Sequence, residues 1–218
     1  MSPIQKLQAS LQASRAQWVA DETPLSRLTP AEKARRLGAV VDRAALAAAM
    51  APRAQVAVPK FDPAVDWRNR NGNYVTPVKD QGGCGSCTSF SVVGTVEAMA
   101  LIEQRQSLDL SEADLHFCSN HGATCDGWWP DAAYTSFKTR GVTDEANFPY
   151  NRAFNGSNPF CALSPDRGAY AVRVTESTAL KTMVERKNWL THVGPCTAAL
   201  HVFDDFFSYR SGIYTHRF

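Results

Sequence analysis

The 218-residue chain is 44% hydrophobic and 20% charged, with 13 Gly and 12 Pro and no periodic use of either. That composition suits a folded core and excludes disordered, collagen-like and coiled-coil chains. A formal charge of +2 gives no footprint for nucleic acid, and no stretch approaches the ~18–20 apolar residues of a membrane span. The charge is uneven: residues 1–60 carry nine basic and four acidic groups, and residues 61–218 carry 14 and 17. The start, Met1-Ser2-Pro3-Ile4-Gln5-Lys6, lacks the apolar region of a secretory signal.

In chain order, residues 3–50 read as helical. Ile4, Leu7, Leu11 and Trp18 share a face, and Ser2-Pro3 opens the first turn. Thr29-Pro30-Ala31-Glu32 is a capping box, with Gly38 as a stop after Leu37. An alanine-rich run from Val41 to Met50 follows, and Ala51–Pro59 reads as an extended linker. Beyond Phe61 the pattern predicts a long helix from Cys87 to about Arg105, a short one capped by Ser111, and one from Pro130 to Thr139 closed by Gly141. From Tyr170 the period changes. Ala171–Val174 and Thr197–Val202 read as strands flanking a helix from Leu180 to Val193, so the class is α+β.

The chemistry concentrates in Gln81-Gly82-Gly83-Cys84-Gly85-Ser86-Cys87, a glycine-rich loop that runs into a helix opened by cysteine. Unpaired amides and the helix dipole at such an end favour thiolate over thiol. Gln81, six residues upstream, is placed to donate its side-chain NH₂ beside the Cys87 amide to a developing oxyanion. Three other readings use the same residues. Cys84 and Cys87 form a C-x-x-C redox pair, Cys84, Cys87, Cys118 and His121 (with His116 and Cys125 nearby) form a zinc site, or the cysteines are buried and inert.

Val65-Asp66-Trp67-Arg68 and Val75–Cys87 resemble the papain-type cysteine peptidase signature. Leu110–Leu115 with Cys118, Cys125-Asp126-Gly127-Trp128-Trp129-Pro130, Phe148-Pro149-Tyr150, Gly194-Pro195 and Tyr209–Tyr214 follow in that family's order. The resemblance implies a papain-like two-lobed fold, with a helical lobe and an incomplete β-barrel lobe preceded by a helical N-terminal extension. Residues 1–58 would be propeptide-like and 59–218 the peptidase domain. It implies a cysteine-type endopeptidase working through a thioester acyl-enzyme, with Cys87 as nucleophile and Gln81 in the oxyanion hole. Gly127 and Trp128 would pair with a peptide backbone, and Trp129, Pro130 and Ala199 would line the pocket for the side chain two before the scissile bond. It also implies disulfides Cys84–Cys125 and Cys118–Cys161, leaving Cys196 as a small buried hydrophobe. No metal or organic cofactor is implied. The expected partners are peptide or protein substrates and the chain's own N-terminal segment as an intramolecular inhibitor. Neither nucleic acid nor membrane is expected as a partner, and the chain is read as a monomer. The disulfides favour an oxidising compartment or secretion.

Three departures from the family pattern stand out. Thr88 follows the nucleophile where the family usually has Trp; Trp128 stands where a second glycine is common, which implies a narrower cleft; altered specificity is expected from both, with the chemistry kept. The family's catalytic His and Asn lie ~130–150 residues after the cysteine, a window that opens as this sequence ends. His216 precedes the place where that histidine begins an apolar strand, and it is not assigned. The expectation is therefore a truncated or weakly active peptidase; the alternative is a catalytically dead papain-like chain that binds peptides or a partner.

Overall fold

The computed structural model describes residues 1–42, 44, 60–119, 122–154, 161, 163 and 165–216. The helix expected over Val41–Met50 lies almost wholly outside these, as do the linker Ala51–Pro59 and the candidate ligand His121. The described chain folds as two compact units.

The first unit comprises Met1–Arg35 and Leu200–Phe218. Helix α1 (Pro3–Ala13) opens with a Ser2/Gln5 capping box, and the short helix α2 (Pro30–Ala34) opens with the box read at Thr29 and Glu32. Strand β1 (Trp18–Ala20) pairs antiparallel with β2 (Tyr209–Gly212), which follows a 3-10 turn over Asp204–Ser208. Trp18 is thus in a strand and not on the helical face expected for it. Arg15 adopts a left-handed φ of 51°, which ends the helical run, and Trp18 and Ala20 then point inward with Val19 outward. The expected apolar grouping survives that change, because Trp18 still packs with Leu11, Ile4 and Leu7. Its indole also donates to the Thr215 carbonyl (3.1 Å) and meets Tyr214 edge-on.

The second unit is Arg36–Ala199. Its axis is α3 (Cys87–Gln104), whose Val92, Val93 and Val96 are buried against α4 (Glu112–Phe117) and α5 (Pro130–Arg140). Ser111 caps α4 through the Asp114 amide, and Gly141 closes α5 with φ 74°. Short helices α6 (Tyr150–Ala153) and α7 (Arg167–Tyr170) follow, then α8 (Met183–His192), capped by a Thr182/Glu185 box. The two expected strands do not form among the described residues. Within 171–174 only Val172 bridges, to Val142, with hydrogen bonds of 2.9 and 2.8 Å, and Thr197–Val202 is irregular. Alternation predicts a strand only where a neighbour completes the ladder. Thr197 instead meets the Thr95 and Tyr134 hydroxyls at 3.1 and 2.8 Å.

Asp114 ties three elements of this unit together. Its side chain is fully buried and forms ion pairs with Arg140 and Arg167. It also accepts the Thr143 amide at 2.9 Å.

Candidate active site

The loop before α3 is held from both sides. Asp80 accepts the Gly82 amide (2.9 Å) and the Arg36 guanidinium (2.8 Å), and these two contacts hold its carboxyl below the usual range. Cys84 is disulfide-bonded to Cys125, and the neighbouring Gly85 amide donates to the Cys125 carbonyl at 2.8 Å. Beneath the loop, the Tyr150 hydroxyl donates to the Gln81 carbonyl (2.8 Å), so the Ser86 hydroxyl must donate to Tyr150 (2.7 Å). Burial pushes the Tyr150 phenol up to about 12, which keeps it a donor at any physiological pH. Tyr150 belongs to a motif noted in the sequence, but its role under the loop carries no local signal.

Cys87 is a free, half-buried thiol at the first position of α3. The disulfides settle two of the alternative readings. Cys84 is bridged to Cys125 and not to Cys87, and Cys118 is bridged to Cys161. Three thiols of the zinc reading are therefore unavailable to a metal. Cys196 is also free, and burial pushes its thiol up.

The Gln81 side-chain amide donates to two carbonyls, Arg36 at 2.9 Å and Cys84 at 2.7 Å. Three residues on, the chain leaves Arg36 to run parallel to the Gly127–Trp128 segment. The Trp128 amide donates to the Gly38 carbonyl (2.8 Å), and the Val40 amide donates to the Trp128 carbonyl (3.0 Å). Gly38, read from sequence as a helix stop, therefore has another position: α2 ends at Ala34, and Gly38 lies against the backbone of Gly85. One extended stretch of this chain thus meets both the Gln81 amide and the Gly127–Trp128 backbone.

The two tryptophans diverge. Trp128 is 1% exposed, with its indole in the helical core and edge-on to His116, so its side chain is packed inside the unit. Trp129 is 45% exposed, next to Pro130 at the start of α5. Ala199 is exposed in the irregular stretch after Pro195. The narrowing expected from Trp128 thus does not come from its indole.

His116 is fully buried. Its Nε2 faces the Thr124 carbonyl (3.0 Å) and must carry the proton, so its Nδ1 accepts from the Ser89 hydroxyl (2.9 Å). Burial lowers its pKa to about 4, which keeps it neutral. Elsewhere, His192 and His201 are exposed, and His216 stacks on Phe203 with its Nδ1 3.1 Å from Asp205.

Glu112, also buried, has its carboxyl raised to about 7 by burial, against the pull of Lys79 at 3.0 Å. Burial also opposes the Lys79 charge, but Asp109 and Glu112 outweigh it and raise that pKa. Opposed pH slopes follow. A histidine depressed on folding contributes stability present above ~6.5 and lost as pH falls toward 4. A glutamate raised on folding contributes stability present below ~4.5 and lost as pH rises through 7. Between pH 7 and 5 each contribution changes by about 2 kcal/mol in opposite directions. Glu112→Gln is therefore expected to steepen the acid-side loss of stability by about that amount, read from urea midpoints at the two pH values. An unaltered slope would show that Glu112 does not titrate there.

Residues 61–218 match the papain family of cysteine proteases. The chain is 38% identical over 154 residues to a cathepsin L-like proteinase of Fasciola hepatica, covering 69% of this chain and 45% of the relative. It is 34% identical over 187 residues to the oryzain gamma chain of Oryza sativa subsp. japonica, covering 84% and 49%. Among solved structures, it superposes on proCathepsin B S9 from Trypanosoma congolense with a TM-score of 0.75 at 22% identity, covering 99% of this chain and 77% of that one. It superposes on a digestive procathepsin L 3 of Tenebrio molitor larval midgut with a TM-score of 0.72 at 23% identity, covering 97% and 66%. The chain belongs to the papain family of cysteine proteases, and its fold is the papain-like α+β fold. It spans about half the length of the curated relatives it matches. The two disulfides fit an oxidising compartment, and among the described residues no helix is long and apolar enough to cross a membrane.

Proposed function

We propose that these residues form the nucleophile-bearing part of a papain-like cysteine endopeptidase held in a pro-form, with residues 1–58 as pro-segment and 59–218 as peptidase domain. Cys87 attacks the scissile carbonyl. The Gln81 amide and the Cys87 N–H hold the oxyanion, and the acyl group passes through a thioester before water releases it. Gly127 and Trp128 pair with the peptide backbone, while Trp129, Pro130 and Ala199 line the side-chain pocket.

One observation carries this reading: the chain's own residues 36–40 already engage both groups a substrate would use, the Gln81 amide through the Arg36 carbonyl and the Trp128 backbone through Gly38 and Val40. Occupied in this way, the groove is blocked to other peptides. Two of the structural neighbours, a procathepsin L and a procathepsin B, are precursor forms, which accords with that. A thiol nucleophile also needs an imidazole to take its proton and return it to the leaving amine. The buried His116 is committed to Ser89 and Thr124, so peptide turnover by these 218 residues is expected to be very slow.

Iodoacetamide at pH 6, followed by peptide mapping, tests the reading. Cys87 is expected to alkylate at least about tenfold faster than Cys196, whose thiol is raised by burial, while hydrolysis of a fluorogenic peptide stays near background. Equal labelling of the two thiols would favour a catalytically dead peptide-binding chain. Rapid hydrolysis abolished by Cys87→Ala would mean that this chain supplies its own base.

A further inference from the structure

Two consecutive hydroxyls follow the nucleophile, Thr88 and Ser89, and neither bonds as a helical hydroxyl ordinarily does. Thr95, Thr135 and Thr139 donate to the carbonyl four residues back, each at 2.8 Å. Thr88 and Ser89 stand in the first turn, where no helical carbonyl lies four residues behind, and both reach out of the helix instead. The Thr88 hydroxyl donates to the Trp128 carbonyl at 3.1 Å. The Ser89 hydroxyl donates to His116 Nδ1, and His116 Nε2–H donates to the Thr124 carbonyl.

Both chains of bonds end on the same short segment. Thr124 and Gly127 form an isolated bridge, and Trp128 follows directly. The Trp128 carbonyl that takes the Thr88 hydroxyl is also the one that accepts the Val40 amide. Thr88, Ser89 and His116 are 3%, 0% and 0% exposed, so breaking the Ser89–His116 or His116–Thr124 bond leaves a buried polar group without water to replace its partner, and losing the Thr88 donor removes one of the bonds that hold the Trp128 carbonyl. A large residue at position 88 would remove the donor to that carbonyl.

We infer that Thr88 and the Ser89–His116 pair are positioning residues for peptide binding: they lock the backbone of 124–128, which pairs with an extended peptide, to the first turn of the helix that carries Cys87. This rests on the peptidase reading for its purpose, though not for its test. The register between nucleophile and bound peptide is then set by side-chain bonds from residues 88 and 89, in addition to the Cys84–Cys125 bridge.

The test is residue-resolved amide hydrogen exchange on the full chain, where residues 36–40 serve as the bound peptide. Thr88→Val, which keeps the shape and deletes the donor, is expected to speed exchange of the Val40 and Trp128 amides about fivefold, the equivalent of one ordinary hydrogen bond. The Val142 and Val172 amides, paired with each other elsewhere in the same unit, should not change. Thr88→Ser should restore the original rates. Ser89→Ala should act separately, on the Gly127 amide that pairs with Thr124. Unchanged Val40 and Trp128 rates in Thr88→Val, a uniform rise that includes Val142 and Val172, or no rescue by serine would each overturn the inference. Its failure is distinguishable from that of the peptidase reading. Normal preferential labelling of Cys87 with unaltered exchange sinks only this inference, and loss of that labelling with altered exchange sinks only the peptidase reading.

Discussion

A Gly38→Val chain is expected to lose the pairing of residues 36–40 with Gln81 and the Gly127–Trp128 backbone, and with it the protection of that segment. A Cβ at position 38 would stand 1.8 Å from the Gly85 carbonyl oxygen, a backbone atom that no rotamer change can move aside. Gly85 cannot retreat, because its amide is bonded to the Cys125 carbonyl and its neighbour Cys84 is disulfide-linked to Cys125. On the other face Gly127, at φ 126°, has the Gly38 carbonyl 2.5 Å from where its own Cβ would be. The segment must therefore leave. Leaving gives up the two backbone bonds to Trp128 and the Gln81–Arg36 bond, each worth about 1 kcal/mol net. The exposed Arg36–Asp80 pair adds little. About 3 kcal/mol corresponds to roughly a hundredfold shift toward the open state. Trypsin cleavage after Arg36 should accelerate toward that factor, with the far-UV spectrum unchanged. A wild-type cleavage rate would mean that residues 36–40 do not stay paired with Gln81 and Trp128 in solution.

What the sequence made legible was local. Caps at Ser2, Thr29 and Ser111 act within one helical turn, and each is present. The glycine-rich approach to Cys87 is likewise a contiguous signal. Features that depend on two distant positions were not readable in this way. Gly38 looked like a helix stop because glycine ends helices, whereas the constraint on it comes from a backbone 47 positions later that leaves no room for a side chain. Thr88 and Trp128 were each visible as a departure from the family pattern. Their connection, a hydroxyl on a carbonyl with the indole turned into the core, spans 40 positions and has no periodicity to announce it. Trp18 fell on a helical face by spacing, yet a left-handed Arg15 places it in a strand whose partner is almost 200 residues away. The strand readings at 171–174 and 197–202 failed for the converse reason: their local alternation was real, but no neighbouring ladder is present among the described residues.

The buried carboxylate of Asp114 sits in the first turn of α4, and its removal is expected to be the most damaging single change in the Arg36–Ala199 unit. Its oxygens take Arg140, Arg167 and the Thr143 amide, joining α4, the end of α5 and α7. The two guanidiniums, only 18% and 13% exposed, also bond backbone carbonyls, Arg140 that of Asp114 and Arg167 that of Gly141. Asp114→Ala would leave both cations in place without their counter-charge. Breaking one partner from a buried ion pair costs about 3–5 kcal/mol, because the remaining charge stays desolvated. For a domain whose total stability is about 5–15 kcal/mol, that is enough to shift a urea midpoint by 1 M or more at slopes of about 1–3 kcal/mol/M. Asp114→Asn, which keeps an acceptor for the Thr143 amide but not the charge, should fall between wild type and alanine. Combining Asp114→Ala with Arg140→Met and Arg167→Met should recover stability relative to Asp114→Ala alone, since the stranded charges are then gone. If Asp114→Ala costs less than about 1 kcal/mol, the Arg140 and Arg167 side chains swing into water instead, and the triad does not hold α4, α5 and α7 together.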